Sequence, residues 1–241
     1  MGLGKTLQAI ALLRAMRDTE RPSLVVMPKT LLHNWRREMA RYGADLRVSI
    51  YGEDLAGFKP DVCLVTYPRL RVDQELIVGK EWNVVVLDEA QAIKNAGTQV
   101  ADAANQLKAR YRLALTGTPV ENRAAELWSI INWLNPGYLG EQADFSAYTS
   151  LARSSEQKST LLAPLREILD PLILRRLKAD PGVALGLPDK TLLDVACDLS
   201  EEQTILYESV IETVLAEDSL GLKAFARRAV FLKAILHLKQ I

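Results

Sequence analysis

NVVVLDEA, residues 83–90, is the stretch on which the fold turns. Val84 to Leu87 are apolar without alternation, and three of the four are β-branched. Such a run suits a strand covered on both faces, as in a parallel sheet flanked by helices. Similar runs are SLVVMP ending at Pro28, VSIY ending at Tyr51, VCLVTY ending at Tyr67 and RLALTGTP ending at Pro119. Helical segments separate them. Thr30 is expected to cap LLHNWRREMARY before a stop at Gly43, and Thr98 to cap VADAANQLKARY. The alternation fills about the first 135 residues and predicts an open α/β fold with a mostly parallel sheet.

Beyond Pro136 the strand pattern ends, and helices are interrupted by Pro164, Pro171, Pro181 and Pro188. A third stretch starts near Thr191, where TLLDVACDL reads as a strand and Ser200 with Gln203 forms a capping box for the helix that follows. In the last helix Leu222, Phe225, Ala229, Leu232 and Leu236 make an apolar stripe that continues toward Ile241 with no terminator. The expected division is 1–138, the α/β unit; 139–190, a helical protrusion or linker; and 191–241, the beginning of a further unit.

Of the 241 residues, 49% are hydrophobic and 25% charged, which excludes disorder as the main state. Thirty basic residues balance thirty acidic ones, so any nucleic-acid face must be local. Cys63 and Cys197 lack the spacing of a metal clip or a disulfide framework and are expected to be small buried hydrophobes. No secretory leader or bilayer-length apolar run is present, which predicts no membrane partner and a cytoplasmic protein, nucleoid-associated if prokaryotic.

Three candidate sites lie at strand or helix ends. GLGKT supplies Gly2, Gly4, Lys5 and Thr6 directly before the helix LQAIALLRAMR. Glycines allow backbone N–H groups close to phosphate oxygens, Lys5 can reach the β/γ-phosphates, and Thr6 can ligate Mg²⁺. At the end of VVVLDEAQ, Asp88 can hold Mg²⁺ through water while Glu89 orients and deprotonates an attacking water; Gln91 is placed to face a nucleotide or another lobe. LALTGTP presents Thr116, Gly117 and Thr118 at a third strand end. Three motifs on the carboxyl edge of one parallel sheet define a ligand crevice.

MGLGKT, MPKTLLHNWRREM, LVTYPRL, LDEAQAIKN, LTGTPVENRAAELWSIINWLNPGYLG, ILRRLKAD and LPDK, in this order, resemble the motif series of the Swi/Snf family of DNA-dependent ATPases in helicase superfamily two, with a form similar to prokaryotic members. The resemblance spans almost the whole chain. It implies a RecA-like P-loop lobe, the first of two, in an ATPase that moves along duplex DNA with ATP in the cleft between lobes. Lys5 and Thr6 would bind phosphate and Mg²⁺, Asp88 and Glu89 would serve metal and water, and Thr116 to Thr118 would couple the site to DNA. Pro28, Lys29, Thr66 and Tyr67 fall in motifs whose amides and hydroxyls grip DNA phosphates.

Against the family pattern, the strand before the P-loop, the start of that loop and nearly all of the second lobe with its arginine fingers are missing. The expectation is a chain truncated at both ends, nearly inactive alone, with an unpaired edge on a neighbouring strand, the one carrying Asp88. Lys29, Arg36, Arg37 and Arg41 form a solvated basic face or, beside a DNA-facing motif, a phosphate contact. His33 and His237 lack metal-ligand spacing, and Trp35, Trp82, Trp128 and Trp133 read as core residues. Two alternatives stand beside the translocase: a strand-separating helicase or restriction-type translocase, and a nucleotide-binding interaction module without catalysis.

Overall fold

The computed structural model describes residues 3–53, 59–95, 97–117, 124–150, 163–165, 167–176, 191–218 and 224–239. The chain forms two compact units, Met1–Ala184 and Leu185–Ile241.

In the first unit five strands make one sheet in the order β2-β3-β1-β4-β5. They are β1 (Ser23–Met27), β2 (Val48–Ile50), β3 (Val62–Thr66), β4 (Glu81–Asp88) and β5 (Lys108–Leu115). All pairings are parallel. The helices are α1 (Lys5–Ala15), α2 (Leu32–Tyr42), α3 (Tyr67–Val72), α4 (Gln74–Val78), α5 (Gln99–Asn105), α6 (Ala124–Leu134) and α7 (Gln142–Ser150).

The continuous apolar runs do what a two-sided core requires. Val25, Met27, Leu64, Val84 and Val86 pack with Ile10 and Leu13 of α1 and Trp35 and Met39 of α2. Their neighbours in the alternating pleat, Leu24, Val26, Val65, Val85 and Leu87, join Leu70, Ile77, Ala103, Ala104, Ile130 and Trp133 in a second core. At about 25 cal/mol per Å² of apolar surface removed from water, this double burial is the main force holding β1, β3 and β4 at the centre.

Beside the strands, Asp61 fixes the order of three of them. Its backbone accepts from Ser23 N–H at 2.8 Å and donates to the Arg47 carbonyl at 2.7 Å. The starts of β1, β2 and β3 are thereby tied together.

Several local expectations need correction. Thr98 does cap α5, its Oγ1 accepting from Ala101 N–H at 3.3 Å. Thr30 caps nothing, because Lys29–Leu31 form a 3-10 turn and α2 begins only at Leu32. The segment KARY belongs to β5 rather than to the preceding helix. The Asp88 strand is not an edge: β4 is paired with β1 on one side and β5 on the other, and among the described residues the outer strands of the sheet are β2 and β5.

The second unit contains α8 (Glu201–Asp218) and α9 (Ala224–Leu238), which contact each other. Ser200 and Gln203 close the capping box: Gln203 N–H donates to Ser200 Oγ at 3.2 Å, and Ser200 N–H to Gln203 Oε1 at 3.0 Å. TLLDVACDL is not a strand but an exposed segment without regular structure, and Cys197 within it is exposed, whereas Cys63 is buried. In α9 Leu232 and Leu236 are exposed and Ala234 is the buried position, so the described part of the stripe is not a core face. Leu222 and the side chains of Phe225 and Ala229 lie outside the described residues.

Candidate active site

Gly4, Asp88, Glu89 and Thr116 all sit at element ends on the carboxyl side of the sheet. Gly4 precedes α1 with φ 72°, a left-handed conformation that glycine adopts without the penalty a Cβ would bring. No acidic residue occupies the first turn of α1, so the positive end of the helix dipole is not neutralised by the helix itself. Lys5 and Thr6, half-buried, begin that helix. Gly2 and Thr118 lie outside the described residues.

Asp88 ends β4 and is only 5% exposed. Both of its carboxylate oxygens are held: Trp35 Nε1–H donates to Oδ2 at 2.7 Å and Glu89 N–H to Oδ1 at 2.9 Å. The Tyr67 hydroxyl donates to the Asp88 carbonyl at 3.0 Å. Burial pushes the Asp88 carboxyl above its ordinary range, while the Trp35 and Glu89 hydrogen bonds and the charge of Lys5 oppose that shift. Burial and the charges of Asp88 and Glu89 raise the Tyr67 phenol, which stays a neutral donor.

Glu89 departs from ordinary backbone, with φ 50° and ψ 56°. A non-glycine residue in this region costs on the order of 1 kcal/mol, a strain that recurs at functional sites. Its Oε2 accepts from Gln91 Nε2 at 2.8 Å, and Gln91 Oε1 accepts from the Thr116 hydroxyl at 2.8 Å. The chain Thr116–Gln91–Glu89 thus joins the end of β5 to the carboxylate after β4, and the Gln91 amide keeps one further donor and one further acceptor site.

The structure brings Asp88, Glu89, Gln91 and Thr116 together and puts the charge of Lys5 within reach of Asp88. Each Asp88 oxygen keeps a lone pair beyond its one hydrogen bond, so the group suits a cation held through water. Among the described residues no cluster of three or more His, Cys, Asp or Glu is present. Asp88, and the Thr6 hydroxyl at the start of α1, are the described oxygen donors that could serve a hard cation such as Mg²⁺.

The DNA-facing candidates divide. Pro28 leads from β1 into the 3-10 turn, and Lys29 and Arg36 are exposed on the same approach. Lys29, Arg36, Arg37 and Arg41 have no carboxylate partner among the described residues, whereas Arg14, Arg17, Arg21, Arg47, Arg69 and Arg110 each have one. Thr66 Oγ1 is used to cap α3, accepting from Arg69 N–H. Tyr67, at 5% exposure, turns its hydroxyl to the Asp88 carbonyl, which leaves only its backbone to face outward.

Trp35 is the residue that sequence reasoning under-read. Like Trp82 and Trp133 it is fully buried, but its N–H finds a carboxylate where theirs find the carbonyls of Ile77 and Ala104. A buried indole must place its N–H on an acceptor, which was the available signal.

A parallel α/β sheet with a glycine–lysine turn at a helix N-terminus and an acidic pair at a neighbouring strand end defines a nucleotide-binding lobe of the P-loop class. The family model of the SNF2-related domain matches residues 1–241, and the chain belongs to that family.

YwqA of Bacillus subtilis is 37% identical over 253 residues, covering 100% of this chain and 27% of that protein. The ISWI chromatin-remodeling complex ATPase ISW1 of Saccharomyces cerevisiae is 32% identical over 226 residues, covering 88% of this chain and 21% of its own length. The Sulfolobus solfataricus SWI2/SNF2 ATPase core in complex with dsDNA superposes with a TM-score of 0.68 at 37% identity, covering 100% of this chain and 52% of that one. The chain therefore spans about half of the solved core and roughly a quarter of these relatives. Among the described residues no helix is long and apolar enough to cross a membrane.

Proposed function

We propose that this chain is the nucleotide-binding motor lobe of a DNA-dependent ATPase that translocates on duplex DNA and remodels protein–DNA complexes, and that it works at the chromosome. The observation that supports it best is the set of bonds converging on Asp88 and Glu89. It occurs in a chain 37% identical to a SWI2/SNF2 core solved with dsDNA.

In this reading the amides after Gly4 and the ammonium of Lys5 bind the phosphates of ATP. Thr6, and Asp88 through water, would hold Mg²⁺, which would supply positive charge against the nucleotide phosphates. Glu89, with Oε2 fixed by Gln91, has Oε1 for an attacking water and takes up its proton. Thr116, bonded to Gln91, transmits displacement of the β5 end to that carboxylate; Gly117 and Thr118 extend the coupling segment. Lys29 and Arg36, with the amides after Pro28 and Thr66, hold phosphates of the duplex without reading sequence.

The test is ATP affinity and hydrolysis, with and without duplex DNA, for Lys5→Ala and Glu89→Gln in the intact protein. Lys5→Ala should weaken nucleotide binding and turnover together. Glu89→Gln should bind ATP and fail to hydrolyse it, and normal turnover there would overturn the assignment. Unwinding of a forked duplex would shift the reading to a strand-separating helicase. Binding without hydrolysis by the native protein would shift it to an interaction module.

A further inference from the structure

The Asp88 carboxylate is not held by its own strand alone. Trp35 Nε1–H reaches Oδ2 at 2.7 Å from the first turn of α2, and the Tyr67 hydroxyl reaches the Asp88 carbonyl at 3.0 Å from the first residue of α3. Each aromatic lies in the first turn of a helix at the carboxyl end of a strand, α2 after β1, which neighbours β4, and α3 after β3, one strand removed. Each is also continuous with an outward-facing segment: Trp35 adjoins exposed Arg36 and Arg37, and Tyr67 adjoins half-buried Thr66 and exposed Arg69. The inner side of these helix starts thus holds Asp88, Trp35 at its carboxylate and Tyr67 at its backbone carbonyl, while the outer side carries cations, of which Arg69 is paired with Asp73.

We infer that Trp35 and Tyr67 are positioning residues that carry the seating of duplex DNA on the outer side of α2 and α3 to the Asp88 carboxylate. Each acts through its bond to Asp88. An aromatic ring packed without free volume cannot move independently of its helix, so a tilt of α2 or α3 must turn or shift Asp88. The bond from Trp35 joins a neutral donor to a buried anion, the stronger class of hydrogen bond. The inference rests on the proposed roles of Asp88 at the metal and of the α2 face at DNA.

The experiment uses the intact protein with Trp35→Phe and Tyr67→Phe, each of which removes one donor and keeps the ring. Hydrolysis without DNA, hydrolysis at saturating duplex, the DNA dissociation constant and the Mg²⁺ concentration for half-maximal rate are measured. In parallel, 5-fluorotryptophan labelling gives a ¹⁹F resonance for Trp35, assigned by its loss in Trp35→Phe. The expected result for Trp35→Phe is DNA affinity within twofold of native and DNA stimulation, taken as the ratio of the rates with and without duplex, reduced roughly ten- to hundredfold, the scale of a hydrogen bond to a charged group. Tyr67→Phe should show a smaller loss of the same kind, and the native Trp35 resonance should shift on adding duplex DNA in the absence of ATP.

Unchanged DNA stimulation in both variants, or a Trp35 resonance indifferent to DNA, overturns the inference. Should Trp35→Phe fail to fold, DNA stimulation in Tyr67→Phe decides it, unchanged stimulation there overturning the inference. Asp88→Asn separates the two levels. Full hydrolysis in Asp88→Asn removes the underlying site reading, whereas its loss beside intact DNA stimulation in Trp35→Phe removes only the positioning role.

Discussion

Asp61→Asn removes one charge and almost no volume at the point where three strands begin. The carboxylate is 4% exposed as a residue and is met on both oxygens. Arg47 supplies Nη2 to Oδ1 at 2.9 Å, Nε to Oδ2 at 3.1 Å and its backbone N–H to Oδ2 at 2.8 Å; Arg17 adds Nη2 at 2.9 Å. Arg47, then Arg17, hold the carboxyl down at about 2 from an ordinary 3.8, against the opposing effect of burial. At about 1.4 kcal/mol per pKa unit, the depression corresponds to roughly 2 kcal/mol of folding stability at neutral pH. The loss should stay near that figure. Both guanidinium groups are more than a third exposed and return to water in the variant, so no buried charge is stranded. Because the folded carboxyl is the stronger acid, its contribution is complete above about pH 4 and disappears as pH falls through about 2. Urea unfolding of both proteins at pH 7 and pH 3 tests this, with the gap between them expected to shrink by about half at pH 3. Equal stability at pH 7, or a gap that does not change with pH, would refute the charge-based account of how these strands are tied.

Two further expectations concern surfaces. Arg36→Ala should weaken duplex binding about equally for unrelated sequences and reduce the slope of log affinity against log salt by about one, measured by anisotropy titration across ionic strengths; a sequence-selective loss would argue against a phosphate contact. Cys197, exposed, should react with a thiol reagent in the native protein while buried Cys63 reacts only after denaturation, which mass spectrometry of the alkylated protein reads directly.

The central strands were legible because burial on both faces leaves an unambiguous mark. Leu24 to Met27 and Val84 to Leu87 are fully buried and have no polar interruption. Where that mark fades, so did the reading. KARY carries alternating charge along a sheet edge, with Arg110 and Tyr111 exposed, and its composition fits a helix equally well. TLLDVACDL has strand-forming residues but no pairing partner among the described residues, and a strand is defined by its ladder rather than by its own composition. The glycine–lysine turn, the acidic pair and Thr116 were readable as short motifs at element ends. The aromatic grip on Asp88 was not, because Trp35 is 53 positions away in sequence and a lone tryptophan reads first as packing.

Glu89 sits in a backbone conformation that glycine would occupy more comfortably. Replacing it by glycine should therefore make the fold more secure by on the order of 1 kcal/mol while deleting the proposed base. Mutation and selection then pull this position in opposite directions. A population screened only for being folded would drift away from glutamate at residue 89, and one screened for turnover would be held to it. Such a site is where an active lineage and a decayed one would first diverge, so the residue found there in a related chain reports on whether its motor still runs.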